Sequence, residues 1–104
     1  FTGGYDHNYV LGRPGEKKIM ANAYCRESGI ALEAETDCCG VQFYAGNFIG
    51  EQTGKGGAAY HDRSAFCLES QFYPNAVNEP DFPSPVVKAG HTYHTETSYR
   101  FYLR

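Results

Sequence analysis

Three polar side chains of this sequence stand inside or beside aromatic runs. They are Asp6 in Gly4-Tyr5-Asp6-His7-Asn8-Tyr9, Gln42 in Gly40-Val41-Gln42-Phe43-Tyr44, and Glu69 in Phe66-Cys67-Leu68-Glu69-Ser70-Gln71. Carboxylates and amides set among rings suit a hydroxyl-rich ligand. The polar groups hydrogen-bond to hydroxyls, and the flat rings cover C–H surfaces. The plain alternative for Glu69 is a solvated strand position, because a buried carboxylate is costly unless paired. If this segment is extended, Cys67 and Glu69 share one face while Phe66 and Leu68 share the other, so alternation alone leaves both readings open.

The elements that must position these residues read as strands. Nine Tyr and seven Phe favour pleated surfaces, and twelve Gly favour turns. Residues 19–25 alternate loosely and residues 30–36 alternate apolar and polar at their start. Arg26-Glu27-Ser28-Gly29 between them predicts a β-hairpin. Residues 41–44 and 64–71 predict two further strands. The longest period-2 stretch, residues 91–103, predicts a long final strand with Tyr93, Thr95, Thr97, Tyr99, Phe101 and Leu103 on one face. Residues 50–57 are glycine-rich and predict a flexible loop. Residues 73–85 hold four prolines and predict extended chain and turns over the surface.

Composition narrows the classes of function. With 9 basic and 12 acidic residues the formal charge is −3, and no basic cluster offers a face for nucleic acid. No run approaches the roughly 20 apolar residues that span a bilayer, and no basic-then-apolar leader opens the sequence. No membrane association and a cytoplasmic location are therefore expected. Cys25, Cys38, Cys39 and Cys67 fit no metal spacing, and the adjacent pair bonds to itself only with difficulty. Reduced cysteines packed as small hydrophobes are expected. The start at Phe1 rather than Met is expected of a processed product or a piece of a longer chain.

The order of the motifs adds more than any one of them. Gly4-Tyr5-Asp6-His7-Asn8-Tyr9-Val10-Leu11, Gly40-Val41-Gln42-Phe43-Tyr44-Ala45-Gly46-Asn47-Phe48, Phe66-Cys67-Leu68-Glu69-Ser70-Gln71, Tyr73-Pro74-Asn75-Ala76-Val77-Asn78 with Phe82-Pro83, and Gly90-His91-Thr92-Tyr93 follow one another in this sequence. This series resembles the C-terminal region of the aldose 1-epimerase (galactose mutarotase) family. The resemblance implies an all-β fold in which residues 1–104 are the C-terminal portion of a large antiparallel β-sandwich. It implies an isomerase that interconverts the α and β anomers of a free aldose. Glu69 matches the family's general base, Asp6 a carboxylate that binds sugar hydroxyls, and Gln42 an amide near the reacting sugar. His7, Asn8 and Gln71 are candidate supporting residues around these three. Departures from the family pattern at Tyr9, Ser70 and Asn75 spare the three inferred site residues.

Anomerisation opens the ring hemiacetal, turns the aldehyde at C1 and closes the ring on its other face. A base removes the proton of the C1 hydroxyl while an acid protonates the ring oxygen. A base poised for this is expected to be partly withdrawn from water. No cofactor or metal is expected. The resemblance also implies a general-acid histidine within an Asn-His-x-Tyr-Phe type segment, and the 104 residues contain none. His7, His61, His91 and His94 match only by residue type. The chain is thus expected to be inactive alone. Its expected partners are a small aldose sugar and either the remainder of the β-sandwich or, through exposed strand edges, a further copy of itself. Two rivals remain. A hexose-phosphate 1-epimerase relative would need basic groups, for which Arg63 and Lys55 are nearest. A lectin-like β-sandwich would bind sugar without turnover and have no use for Glu69.

Overall fold

The computed structural model describes residues 2–104. The elements in chain order are the strands β1 (Asp6–Val10), β2 (Lys18–Tyr24), β3 (Ile30–Thr36), β4 (Gly40–Tyr44), β5 (Gln52–Thr53), β6 (Ala59–Tyr60), β7 (Cys67–Gln71) and β8 (Thr97–Leu103), with short 3₁₀ turns at Lys55–Gly57 and Ala76–Asn78. Every strand pairing is antiparallel. One sheet has the order β1-β4-β7, a second β2-β3-β8, and β5-β6 form a small ribbon. The all-β reading holds, and no helix among the described residues is long and apolar enough to cross a membrane.

The predicted hairpin is β2–β3. Gly29 takes φ 73°, a conformation that costs glycine little. Its N–H bonds to the Cys25 carbonyl at 2.9 Å, and Cys25 N–H bonds to the Ile30 carbonyl at 2.9 Å. A register shift between Ile19 and Ala21 makes Met20 a bulge. Met20 is buried and meets Ala34 and Val41 in the core, with Leu11, Ala21 and Leu68 packed around them.

That core joins the two larger sheets face to face. Polar links at one end do the same: Ser70 and Thr97 hydroxyls lie 2.8 Å apart, Thr97 and Thr36 hydroxyls 3.0 Å. The Tyr99 hydroxyl donates to the Leu68 carbonyl at 3.0 Å. The sandwich is shallow, however. Its radius of gyration is 16.3 Å, against about 13 Å for a compact domain of this length. Phe101 and Leu103 on the outer strand β8 are 68% and 80% exposed. A lone compact domain rarely leaves an apolar strand so open.

Three expectations change. The long final strand begins only at Thr97, because its partner β3 ends at Thr36, opposite Thr97, where the chain must turn towards β4. Residues 91–96 therefore have no strand to pair with. Asp37 holds their end instead, its carboxylate accepting from the Thr95 hydroxyl at 2.6 Å and the Glu96 N–H at 2.9 Å. The glycine-rich loop is also more ordered than expected. Gly54 N–H bonds to the Ala58 carbonyl at 2.7 Å and closes the β5–β6 ribbon. All four thiols are free, but Cys25 and Cys67 are exposed, so only Cys38 and Cys39 pack as small hydrophobes.

The Asp37 contacts carry a pH signature. The Thr95 hydroxyl foremost, then the Glu96 N–H, hold the carboxyl below its ordinary 3.8. A depressed folded pKa gives stability that is present above the unfolded value and lost as pH falls through the folded one. Thr95→Val should therefore lower the urea midpoint at pH 6 and leave a smaller deficit near pH 3. A deficit that is equal at both pH values would refute the link.

Candidate active site

The strand registers assemble the polar row. Asn8 pairs with Gln42 across β1–β4, and Gln42 pairs with Glu69 across β4–β7. Asp6, Tyr44 and Cys67 form a parallel row, as do Val10, Gly40 and Gln71. Directly opposed residues of an antiparallel sheet share a face. Asp6, Asn8, Gln42, Glu69 and Gln71 therefore stand on one face of the β1-β4-β7 sheet. Its other face, with Tyr9, Val41 and Leu68, turns towards β2-β3-β8 and the core.

Within the row, the Gln42 Nε2 donates to Asp6 Oδ1 at 2.8 Å. A carboxylate oxygen accepts and an amide nitrogen donates, so this bond fixes the flip of the Gln42 amide. Its Oε1 is buried without a hydrogen-bond partner among the described residues, and so is Asn8 Nδ2. Gly40 makes room for the row. A Cβ there would meet Asn8 Oδ1 at 2.9 Å and the Tyr73 ring at 3.0 Å. Glu69 is exposed rather than partly withdrawn, because β7 is an edge strand with nothing beyond it among the described residues. No ion pair among those residues engages its carboxylate.

His7 pairs with Phe43 on the core-side face of β1, but its Nδ1 accepts from the Asp6 N–H at 3.0 Å, so it touches the backbone of Asp6 rather than the polar row. Its ring meets Tyr5 edge-on at 6.0 Å between centroids. His61, His91 and His94 are exposed and lie outside the strands.

Sequence reasoning missed the brace behind Asp6. Asn47 Nδ2 donates to the Tyr5 carbonyl at 2.9 Å, and Ala45 N–H bonds to the same oxygen at 2.9 Å. Arg63, itself at φ 67°, donates through Nη2 to the Gly3 carbonyl. The close approach needs Gly4, since a Cβ there would lie 2.2 Å from Asn47 Oδ1. The available signal was the Gly46-Asn47 pair, a combination typical of tight, side-chain-bonded turns.

A hollow of about 470 Å³ lies on the opposite side of the sheet. Tyr9, Leu11, Met20, Val41, Phe43 and Leu68 are among its lining residues. These include the core residues themselves, and Asn22 is the one amide among the lining side chains. The hollow is an unfinished sandwich interior rather than a place to grip hydroxyls. The shallow polar face instead sets an acceptor, a donor and a carboxylate without an ion pair in line among the described residues.

The chain is similar to known proteins along almost its whole length. The family model for aldose 1-epimerase matches residues 1–100. Galactose mutarotase of Sus scrofa is 46% identical over 99 residues, covering 94% of this chain and 29% of that protein. The Homo sapiens galactose mutarotase is 44% identical over the same shares. The aldose 1-epimerase of Escherichia coli K12 is 35% identical over 101 residues. This chain thus spans 29% of the length of these relatives. With a match running almost from end to end of its sequence, the chain belongs to the aldose 1-epimerase family.

Proposed function

We propose that this chain is the C-terminal, base-bearing part of an aldose 1-epimerase that interconverts the α and β anomers of a free aldose such as galactose. The observation that carries this reading is the alignment of Asp6, Gln42 and Glu69 on one face of the β1-β4-β7 sheet, with the Gln42 amide bonded to Asp6 at 2.8 Å.

In this reading Glu69 takes the proton of the C1 hydroxyl. Its carboxylate is free of an ion pair among the described residues, so no bond must break before it accepts a proton. Asp6 accepts from a sugar hydroxyl through the oxygen that Gln42 leaves open, and Gln42 is held rigidly for its own contact. A base on an open edge strand must lose water when sugar binds. Strands of the remaining sandwich are proposed to complete that enclosure and to bring the acid that protonates the ring oxygen. The family resemblance assigns that acid to a histidine in an Asn-His-x-Tyr-Phe segment. The chemistry runs through aqueous groups, which suits a location away from membranes; the cytoplasm is the proposed one.

The reading divides the machinery between this chain and the rest of the protein, and that division is testable by polarimetry. Full-length protein should speed the approach of α-D-galactose to anomeric equilibrium. The purified 104-residue chain should not, and light scattering should find it larger than a monomer because β8 and the apolar groove are open. A fully active, monomeric 104-residue chain would overturn the division.

A further inference from the structure

We propose that Asn8 binds substrate directly, its Nδ2 and the Oε1 of Gln42 together taking one sugar hydroxyl and thereby setting which aldoses are accepted. The inference rests on the mutarotase reading and adds a residue to its site.

Buried polar atoms are nearly always hydrogen-bonded, so each exception calls for a partner. Of the three such atoms among the described residues, Asn8 Nδ2, Gln42 Oε1 and Asn47 Oδ1, two lie in the polar row. Asn8 Nδ2 and Gln42 Oε1 are both buried and unpaired among the described residues, and they belong to residues directly opposed across β1–β4. One is a donor and the other an acceptor. A hydroxyl is the small group that satisfies both at once, donating its hydrogen to Oε1 and accepting from Nδ2 through a lone pair. The amide of Gln42 cannot turn to relieve the mismatch, because its Nε2 is committed to Asp6 Oδ1.

The position of the pair fits a sugar whose anomeric end lies at Glu69. Asn8, Gln42 and Glu69 occupy three adjacent strands of one row, so the outer two are about 10 Å apart at the backbone. Side chains leaning in from both ends leave a span suited to one pyranose with its substituents. The bare Cα of Gly40 leaves room for Asn8 Oδ1 on one side and the Tyr73 ring on another, so the oxygen end of the Asn8 amide lies towards Gly40 and Nδ2 is the end without a partner. A site that uses buried polar groups to read a hydroxyl rejects an analogue that lacks it, because those groups are then left unpaired.

The test is non-additivity. The kcat/KM of full-length wild type and of Asn8→Ala is measured with D-galactose and with its 2-, 3-, 4- and 6-deoxy analogues. Asn8→Ala should lower kcat/KM for D-galactose roughly tenfold, chiefly through KM. One monodeoxy analogue should be turned over equally by both proteins, since it lacks the hydroxyl that Asn8 binds. Equal sensitivity of every sugar, or none for any sugar, overturns the proposal. If Asn8→Ala does not fold, Asn8→Thr keeps the strand and shortens the donor, and the same pattern across sugars decides. Failure of the underlying reading looks different: wild type would then accelerate none of the sugars.

Discussion

Glu69→Gln in the full-length protein is expected to lower kcat by about 10²–10⁴-fold while KM changes only a few-fold. The magnitude is that of a positioned general base, or about 3–5 kcal/mol of barrier. The replacement keeps the length and shape of the side chain and its place on β7. It removes the capacity to take a proton. Because no ion pair among the described residues holds the Glu69 carboxylate, the change leaves no charged group stranded. Stability should therefore stay close to that of the wild type. Polarimetry gives the rate and an NMR titration with D-galactose gives the binding. The same pair of measurements separates the two classes of sugar protein. A lectin-like module would keep its whole function in Glu69→Gln, whereas an epimerase keeps binding and loses turnover. Variant turnover within tenfold of wild type would remove Glu69 from the role of base.

Gly46→Ala has the largest effect on stability, and the reason can be isolated by comparison. Gly46 sits at φ 69° and Gly29 at φ 73°, so alanine meets a similar backbone penalty at each, about 1–2 kcal/mol. Their surroundings differ. A Cβ at Gly29 would find the Arg104 carbonyl oxygen at 3.6 Å, an ordinary contact, but at Gly46 it would lie 2.2 Å from the carbonyl oxygen of Ala65. Backbone cannot swing aside as a side-chain tip can. Overpacking of this kind adds roughly 1–3 kcal/mol. Gly46→Ala should thus cost about 2–5 kcal/mol, and Gly29→Ala only the first part of that. Gly46 also accepts the Arg63 N–H at 2.7 Å and precedes Asn47, which holds Tyr5. The loss of stability should therefore come with weaker sugar binding through Asp6. Urea denaturation of both variants in the full-length protein measures the difference. Equal destabilisation at the two glycines would show that the Ala65 contact relaxes freely.

The comparison between sequence and structure turns on what a strand can say about itself. Alternation and the Arg26–Gly29 turn placed the β2–β3 hairpin, because both signals are local and the turn chemistry is carried by one glycine. The motifs named Asp6, Gln42 and Glu69 as a candidate set. Residues 6–10 are not among the segments whose alternation predicts a strand, so only the pairing of β1 with β4 puts Asp6 and Asn8 on one face and His7 on the other. Alternation also could not tell which face was wet. For Glu69, both the solvated and the functional readings survived to the end of the sequence argument.

The register of three strands far apart in the chain resolved which residues meet. A shift of one residue in either pairing would have sent Gln42 or Glu69 to the core face. That register depends on the burial of Val41 and Leu68 against Met20 and Ala34, contacts between segments that carry no local mark of one another. The same non-local origin explains the rest of what the sequence left undetermined. The final strand stops at Thr97 because β3 stops at Thr36. Asp6 is braced by Asn47 and by the turn at Gly46 from across the sheet. Composition and motif order determined the class of fold, the family and the three polar residues. Only the tertiary structure decided that Asn8 stands beside Gln42 with its donor unpaired, since hydrogen-bond satisfaction belongs to a packed neighbourhood and not to a residue.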